Sequence, residues 1–155
     1  MKKFIVICDS LRSLHNVGSV FRTADGAGID KIYLCGITGH PDVPKAERKI
    51  SKVALGAQDF IEWEYVKQSW RLVEKLKKEG YQIVSLEQTS KSINYTKFKP
   101  KFPLALIIGN EGKGVKKSLL KRSDKIIDIP MRGQKESLNV SVAFGIAAYW
   151  IGGFK

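Results

Sequence analysis

The chain has 155 residues, of which 43% are hydrophobic and 27% are charged. That length fits one ordinary domain, and that balance is typical of a soluble globular protein, which excludes disordered and collagen-like chains. The 27 Lys and Arg residues outnumber the 15 Asp and Glu residues and give a formal net charge of +12, which favours a polyanionic partner such as nucleic acid. A generally basic, highly soluble surface would explain the same charge, so charge alone does not identify a function.

The chain has no apolar run long enough to cross a bilayer, and the apolar segment near its N-terminus is too short for a signal peptide. We therefore expect a cytoplasmic protein with no membrane partner. The only cysteines, Cys8 and Cys35, each lie in an apolar stretch, which predicts buried core side chains in a reducing compartment. Cys35 and His40 lack a second pair that would complete a tetrahedral site, so we expect no metal.

Short apolar, β-branched runs predict the strands of a buried sheet. The first run extends from Phe4 to Cys8. Similar runs follow at Lys31 to Cys35, Tyr81 to Leu86, Leu104 to Ile108 and Lys125 to Ile129. Phe60 to Val66 is more polar, which is typical of an edge strand. The sequence therefore predicts a mostly parallel sheet of five or six strands.

Helical periodicity separates these runs. Apolar residues at i, i+3, i+4 and i+7 predict a helix around Val17 to Ala24, and a similar pattern predicts a second helix from Trp70 that ends at Gly80. A short helix is predicted over Val115 to Arg122 and a last one over Leu138 to Ile151. The alternation of strands and helices predicts an α/β fold with helices on both faces of the sheet.

The last predicted helix, Leu138 to Ile151, is apolar or small at nearly every position. Such a helix has to be covered on several sides, either by its own sheet and a neighbouring helix or by a second subunit. We therefore expect a homodimer. The most loop-like stretch, Lys91 to Pro103, does not have the composition of an interdomain linker, so we expect residues 1–155 to form a single domain.

Three turns that follow predicted strands are candidates for chemistry, because open α/β sheets bind ligands at the carboxyl ends of their strands. The first, Ser13 to Gly18, leads into a helix that carries Arg22. Either Ser13 or Asn16 could cap that helix, with Arg22 a solvated charge. Arg22 also lies near a helix start, where a guanidinium can grip two phosphate oxygens.

The second turn, Gly109 to Gly114, follows a predicted strand and precedes a helix, as a phosphate-binding loop would. Its glycine spacing matches neither a Walker loop nor a dinucleotide-binding fingerprint. Glu111 inside the loop also argues against phosphate, because a carboxylate repels it unless a cation intervenes. The loop is better suited to an uncharged or positively charged ligand.

The third turn begins at Ile129 and leads to Ser137 and Asn139, two polar residues at the mouth of the apolar helix. A purely structural interpretation makes Ser137 the N-cap of that helix and leaves Asn139 tolerated at its second position. The segment alone does not decide between that interpretation and a functional site.

Taken together, the three segments resemble, in order, the three motifs of the SpoU (TrmH-type) branch of the SPOUT methyltransferases, which methylate ribose 2′-oxygens in tRNA or rRNA. The matching segments are Asn16 to Ala24, Leu106 to Gly114, and Ile129 to Met131 followed by Ser137 to Ala143. The resemblance spans nearly the whole chain. It implies one SPOUT methyltransferase domain with a deep C-terminal trefoil knot and, over residues 1–155, no accessory RNA-binding domain. It also implies S-adenosyl-L-methionine as cofactor, with S-adenosyl-L-homocysteine as product.

The resemblance also implies roles for individual residues. The implied catalytic residues are Arg22, Asn16, Glu111, Ser137 and Asn139. The implied cofactor-binding residues are Leu86, Ile108, Gly109, Ile129, Met131 and Leu138. Arg22 is the central catalytic residue of the pattern, but a guanidinium stays protonated far above neutral pH, so a phosphate clamp or an electrostatic role is an alternative to a base.

Basic residues outside the implied pocket are candidates for holding the RNA backbone. They are Lys45, Arg48, Lys49 and Lys52 in one segment, Lys113, Lys116, Lys117, Lys121 and Arg122 in another, and Arg132 with Lys135 near the site. Two other function classes are alternatives. A non-catalytic RNA-binding module is disfavoured because all the motif residues are present, and a P-loop or Rossmann nucleotide-binding enzyme is disfavoured by the glycine spacings. The sequence does not choose between tRNA and rRNA or name the methylated nucleotide.

Overall fold

A computed structural model describes residues 2–153 of the chain. Its strands are β1 (Phe4–Asp9), β2 (Lys31–Cys35), β3 (Glu62–Val66), β4 (Gln82–Leu86), β5 (Ile93–Asn94), β6 (Leu104–Ile108) and β7 (Lys125–Asp128). Its α-helices are α1 (Leu14–Ala27), α2 (Pro44–Ala54), α3 (Ser69–Lys78), α4 (Lys117–Leu120) and α5 (Val140–Ile151). Two short 3₁₀ helices cover Ala57–Asp59 and Tyr95–Lys97.

The seven strands form one sheet in the order β3-β2-β1-β6-β4-β7-β5, and every pair of neighbours is parallel. The register places Val6 of β1 beside Ile32 of β2 on one side and Leu106 of β6 on the other. Because all strands run the same way, their carboxyl ends meet at one edge, where ligands bind in open α/β sheets. The three candidate turns all leave from that edge.

Alternation along the strands separates two hydrophobic clusters. Val6 and Cys8 of β1 face a cluster that includes buried residues of α1, α2 and α5, whereas Ile5 and Ile7 face a second cluster with α3 and α4. Both faces of the sheet are thus covered by helices, which explains why the central strands are apolar at successive positions. The predicted α/β fold with a mostly parallel sheet is confirmed.

Individual boundaries differ from the predictions in ways that have physical causes. The two-residue strand β5 adds a seventh strand to the predicted five or six, because a pairing this short carries no periodic signal. Helix α2 is not among the predicted elements, since its buried face consists of Ala46, Ile50 and Ala54 and is too narrow and small to stand out among lysines. Helix α4 is shorter than predicted. The trefoil knot stays a prediction from the family resemblance.

Cys8 and Cys35 are buried and unbridged, as predicted. Burial raises the pKa of the Cys8 thiol well above its ordinary value and raises that of Cys35 to about 12, so both thiols stay protonated at neutral pH. Over residues 2–153, no helix combines the length and apolar character needed to span a bilayer, and no group of three or more His, Cys, Asp or Glu side chains converges on a possible metal position.

Candidate functional site

A cavity of about 320 Å³ opens at the carboxyl ends of β4, β6 and β7. This volume lies at the lower end of the range for small-molecule sites. All six residues expected to contact the cofactor line the cavity, namely Leu86, Ile108, Gly109, Ile129, Met131 and Leu138. Three of the five expected catalytic residues line it too, namely Glu111, Ser137 and Asn139.

The segment after β6 forms one wall of the cavity as a closed loop. Backbone hydrogen bonds join Asn110 and Gly114 in both directions, at 3.2 and 2.8 Å. The side chain of Asn110 accepts from the N–H groups of Gly112 and Lys113 and donates to the carbonyl of Ser10. Asn110 therefore holds the loop in shape and fastens it to the end of β1.

Position 109 has to be glycine because the backbone of residues 114 and 115 passes close to it. A Cβ placed there would lie 2.5 Å from the carbonyl group of Gly114 and from the nitrogen of Val115. No side chain fits at that separation, and the atoms in the way are backbone atoms. Gly114 has φ +71°, a left-handed conformation that glycine adopts without strain. Backbone geometry therefore accounts for the glycines at these two positions, and no phosphate-binding role is needed to explain them.

Glu111 points from this loop to the start of α1. Its carboxylate accepts hydrogen bonds from the backbone N–H groups of Arg12 and Ser13, at 2.8 and 2.9 Å, and from the side-chain amide of Asn16 at 2.9 Å. Burial raises the pKa of Glu111, but the hydrogen bonds from Arg12, Asn16 and Ser13 outweigh that effect and leave the pKa below its ordinary value. Glu111 is therefore ionised at neutral pH.

The same network continues to α5 through two amides. The side-chain oxygen of Asn16 accepts from the side-chain nitrogen of Asn139 at 3.2 Å. The side-chain oxygen of Asn139 in turn accepts from the N–H groups of Ser141 and Val142 and so caps α5. Segments that are distant in sequence thus meet in a chain from Glu111 through Asn16 to Asn139.

The capping residues differ partly from the predictions. Ser13 caps α1 by accepting a hydrogen bond from the N–H of Asn16, which confirms the first of the two predicted capping residues. The side chain of Asn16 is therefore available for its hydrogen bonds with Glu111 and Asn139. Ser137 is not the N-cap of α5, since Asn139 holds that position. The purely structural interpretation, in which Ser137 caps the helix and Asn139 is merely tolerated, is therefore wrong. Ser137 lies exposed at the cavity.

Arg22 is not brought to the cavity within this chain. It lies exposed on α1, six residues after Asn16, which on a helix turns its side chain about 120° away. It is absent from the cavity lining, and among the described residues its guanidinium has no hydrogen-bonding or ion-pair partner. Its catalytic role stays a prediction.

Glu87 is a cavity residue that the sequence analysis missed. It follows β4, and its carboxylate accepts from the N–H groups of Val115 and Gln88, both at 2.9 Å. Glu87 thereby ties the end of β4 to the loop after β6. The only available signal was its position directly after a predicted buried strand, where a carboxylate is as often a solvated charge.

The charges and surfaces of the cavity fit a ligand with an apolar part and a positive charge. Leu86, Ile108 and Ile129 offer apolar surface, while Glu87 and Glu111 bring two carboxylates. Asp128 and Lys113 also line the cavity. A sulfonium-bearing nucleoside such as S-adenosylmethionine has this combination of properties, whereas a polyphosphate nucleotide would meet repulsion.

Comparisons with known proteins agree with the geometry. The family model described as "SpoU rRNA Methylase family" matches residues 3–149. The tRNA (guanosine(18)-2′-O)-methyltransferase of Aquifex aeolicus is 34% identical over 152 residues, which cover 96% of this chain and 68% of that enzyme. The motifs that carried the family resemblance therefore lie within a match that extends over almost the whole chain.

Two solved structures share the fold. The A. aeolicus TrmH/SpoU tRNA modifying enzyme superposes with a TM-score of 0.86 at 32% identity, covering 99% of this chain and 76% of the other. The AdoMet-bound rRNA methyltransferase of Sinorhizobium meliloti gives a TM-score of 0.87 at 26% identity and covers 96% of this chain. The chain spans only 56% of that longer protein.

Proposed function

The chain belongs to the SpoU rRNA methylase family, and on that premise we propose that it transfers the methyl group of S-adenosylmethionine to a ribose 2′-hydroxyl of tRNA or rRNA. The observation that carries the proposal is a cavity lined by the second and third motif segments, to which Asn16 of the first segment is joined by hydrogen bonds with Glu111 and Asn139. The names of the relatives and the AdoMet-bound neighbour support this reaction and this cofactor.

S-adenosylmethionine supplies an electrophilic methyl group on a positively charged sulfur when it is bound. Apolar side chains of Leu86, Ile108 and Ile129 exclude water from the surface they cover, and this strengthens electrostatic interactions inside the cavity. The ionised Glu111 and the neighbouring Glu87 favour a cationic ligand over a neutral one. This difference helps the neutral product, S-adenosylhomocysteine, to leave.

Methyl transfer to a hydroxyl is an in-line displacement, so the residues have to hold the acceptor oxygen in line and help to remove its proton. We assign alignment to the network of Glu111, Asn16 and Asn139, with Ser137 at the mouth to contact the ribose. Because guanidinium groups are very weak bases in general, we assign Arg22 to clamping a substrate phosphate or stabilising the developing alkoxide.

We also propose a homodimer that covers the outer face of α5. Val142 and Ile146 are 51% and 36% exposed on that face, one turn apart. Thr23 of α1 lies against this helix at Gly145, with ordinary van der Waals contact to the position of a Cβ there. A second copy on this face would bury the apolar side chains and place the neighbouring Arg22 near a subunit boundary. The prediction is that Ile146→Glu gives a monomer by light scattering, and a dimer that persists would contradict it.

The reaction is tested with labelled S-adenosylmethionine and unmodified total RNA from cells. The expected result is label on a ribose 2′-oxygen at a discrete nucleotide, mapped by nuclease digestion. Label on a base, or no incorporation, would contradict the 2′-O assignment.

S-adenosylmethionine should also raise the melting temperature of the protein, whereas ATP and NAD should not, because only a ligand that binds the folded state stabilises it.

Arg22 is tested by Arg22→Ala. We expect methyl transfer to be abolished while the melting-temperature increase with S-adenosylmethionine is retained, because the residue lies outside the cavity lining. Near-normal turnover would remove Arg22 from the mechanism.

For location and organisation, we propose a cytoplasmic protein in which residues 1–155 act as one catalytic domain.

A further inference from the structure

Helix α2 presents an exposed basic face to solvent. Lys45, Arg48, Lys49 and Lys52 are exposed and spaced three or four residues apart, so they form one stripe. Within residues 2–153, none of these four cations has an ion-pair partner. In the other large basic segment, by contrast, Lys116 lies 3.7 Å from Asp9 and Arg122 lies 3.1 Å from Glu74.

Apolar side chains extend this stripe at the carboxyl end of α2. Leu55 is 65% exposed and Phe60 is 78% exposed, the largest exposure of any big hydrophobic side chain in residues 2–153. Leu55 and Gly56 have φ values of +52° and +93°, which reverse the chain after the helix. The Phe60 ring comes back within 3.7 Å of the position that a Cβ on Gly56 would take. An exposed aromatic ring therefore lies where the basic stripe ends.

The opposite face of α2 is fixed rigidly to the helix that carries the site. A Cβ on Gly18 of α1 would lie 2.7 Å from the carbonyl oxygen of Ile50 and 2.8 Å from the Cβ of Val53. This contact leaves no space between the two helices, so α2 moves with α1. Asn16, at the start of α1, hydrogen-bonds to Glu111 at the cavity. The basic stripe thus has a set position relative to the candidate active site.

We propose that the α2 surface, defined as Lys45, Arg48, Lys49, Lys52 and Phe60, binds a single-stranded segment of the RNA substrate outside the site of methyl transfer. This inference rests on the proposed function. The four cations neutralise phosphates along a helix about 16 Å long, and the Phe60 ring stacks on an unpaired base.

A single strand fits this surface better than the other occupants. A duplex presents phosphates but keeps its bases stacked inside, which would leave the exposed ring of Phe60 without a partner. A second copy of the chain, docked symmetrically, would bring the unpaired cations of both α2 helices together, and like charges across an interface are costly.

The test measures binding of a fluorescently labelled, mixed-sequence single-stranded oligoribonucleotide by anisotropy, with the full chain and a salt series. Phe60→Ala should weaken binding about tenfold at every salt concentration, and Phe60→Trp should restore it, because stacking needs an aromatic face. The paired variant Lys49→Gln with Lys52→Gln should reduce the slope of log affinity against log salt by about 0.7 for each phosphate that is no longer neutralised. The matched control, Lys75→Gln with Lys78→Gln, removes two exposed lysines of α3 and should leave binding unchanged.

Several results would overturn the α2 surface. These are wild-type binding by Phe60→Ala, an equal loss in the α3 control, displacement by duplex RNA as effective as by single strand, or absence of RNA binding by the wild type. A change of oligomeric state in Phe60→Ala would mean that protein covers the ring instead. All variants should keep the melting-temperature increase with S-adenosylmethionine. RNA binding without methyl transfer in the wild type would refute the proposed reaction and leave this surface standing.

Discussion

Asn139 uses both ends of one amide for different purposes. Its oxygen accepts from the N–H groups of Ser141 and Val142 and caps α5, while its nitrogen donates to Asn16. A capping residue is usually explained by helix stability alone. Here the cap also sets the orientation of a donor that reaches the network at the cavity.

These two purposes can be separated by substitution. Asn139→Ala removes both, and we expect the free energy of unfolding to fall by about 1 kcal/mol. Asn139→Asp keeps an acceptor for the cap but has no donor for Asn16, so its stability should stay near that of the wild type while methyl transfer falls. Urea denaturation and the transfer assay measure the two effects. Equal destabilisation by Asp and Ala would show that the cap is not the stabilising contact.

Glu111 links stability to pH through its hydrogen bonds. Its pKa in the folded protein is lowered, so its contribution is fully present above the pKa of an unfolded glutamate, about 4.3, and is lost as the pH falls through the folded value. Glu111→Gln cannot titrate. We therefore expect the wild type to be the more stable protein at pH 7 and its advantage to shrink below about pH 4. Melting temperatures of both proteins between pH 7 and pH 3 measure this, and a gap independent of pH would contradict it.

At the scale of elements, the loop after β6 depends on a backbone contact that no side chain can share. Gly109→Ala would place a methyl group 2.5 Å from backbone atoms of Gly114 and Val115. The loop then has to move, and since it forms a wall of the cavity, we expect the affinity for S-adenosylmethionine to fall at least about tenfold, with a decrease of about 1–3 kcal/mol in stability. Titration calorimetry measures the affinity.

Gly133→Ala is the matched control for that substitution. A Cβ at Gly133 would meet no atom within 4 Å, so this variant should bind S-adenosylmethionine as the wild type does. If Gly109→Ala bound the cofactor with unchanged affinity, the loop would not be the rigid wall that its hydrogen bonds indicate.

At the scale of the whole molecule, the formal charge of +12 bears on RNA binding as a long-range effect. Contacts between cations and phosphates release counterions, so we expect the RNA affinity of the wild type to fall steeply and log-linearly with salt. The measurement is a filter-binding series with unmodified tRNA. A flat response would show that the basic residues are ordinary solvated charges and that recognition rests on other contacts.

Local patterns in the sequence were sufficient for the α/β class and most of the elements. Strands such as β1 and β6 are buried on both faces, so nearly all of their residues are apolar, and the pattern is legible without a structure. Helix α2 could not be predicted from its sequence, because its inward face consists mainly of small residues. These residues contribute to the core only because α1 packs closely against them at Gly18. Its importance depends on a neighbour that is distant in the chain.

The residues of the candidate site also fall into two groups, those that the sequence identified and those that only the structure identified. The six expected cofactor residues came with the family resemblance, five of them from its motif segments, and all six line one cavity. The end of β4 and the segments after β6 and β7 meet there because the carboxyl ends of these strands lie at the same edge of the sheet. Short-range signals therefore determined the class of fold, the family and half of the residues that line the cavity. Only the tertiary structure decided that Glu87 holds the loop after β6, that Asn16 joins Glu111 to Asn139 and that Arg22 lies outside the cavity, because contacts between segments 28 to 123 residues apart leave no local pattern.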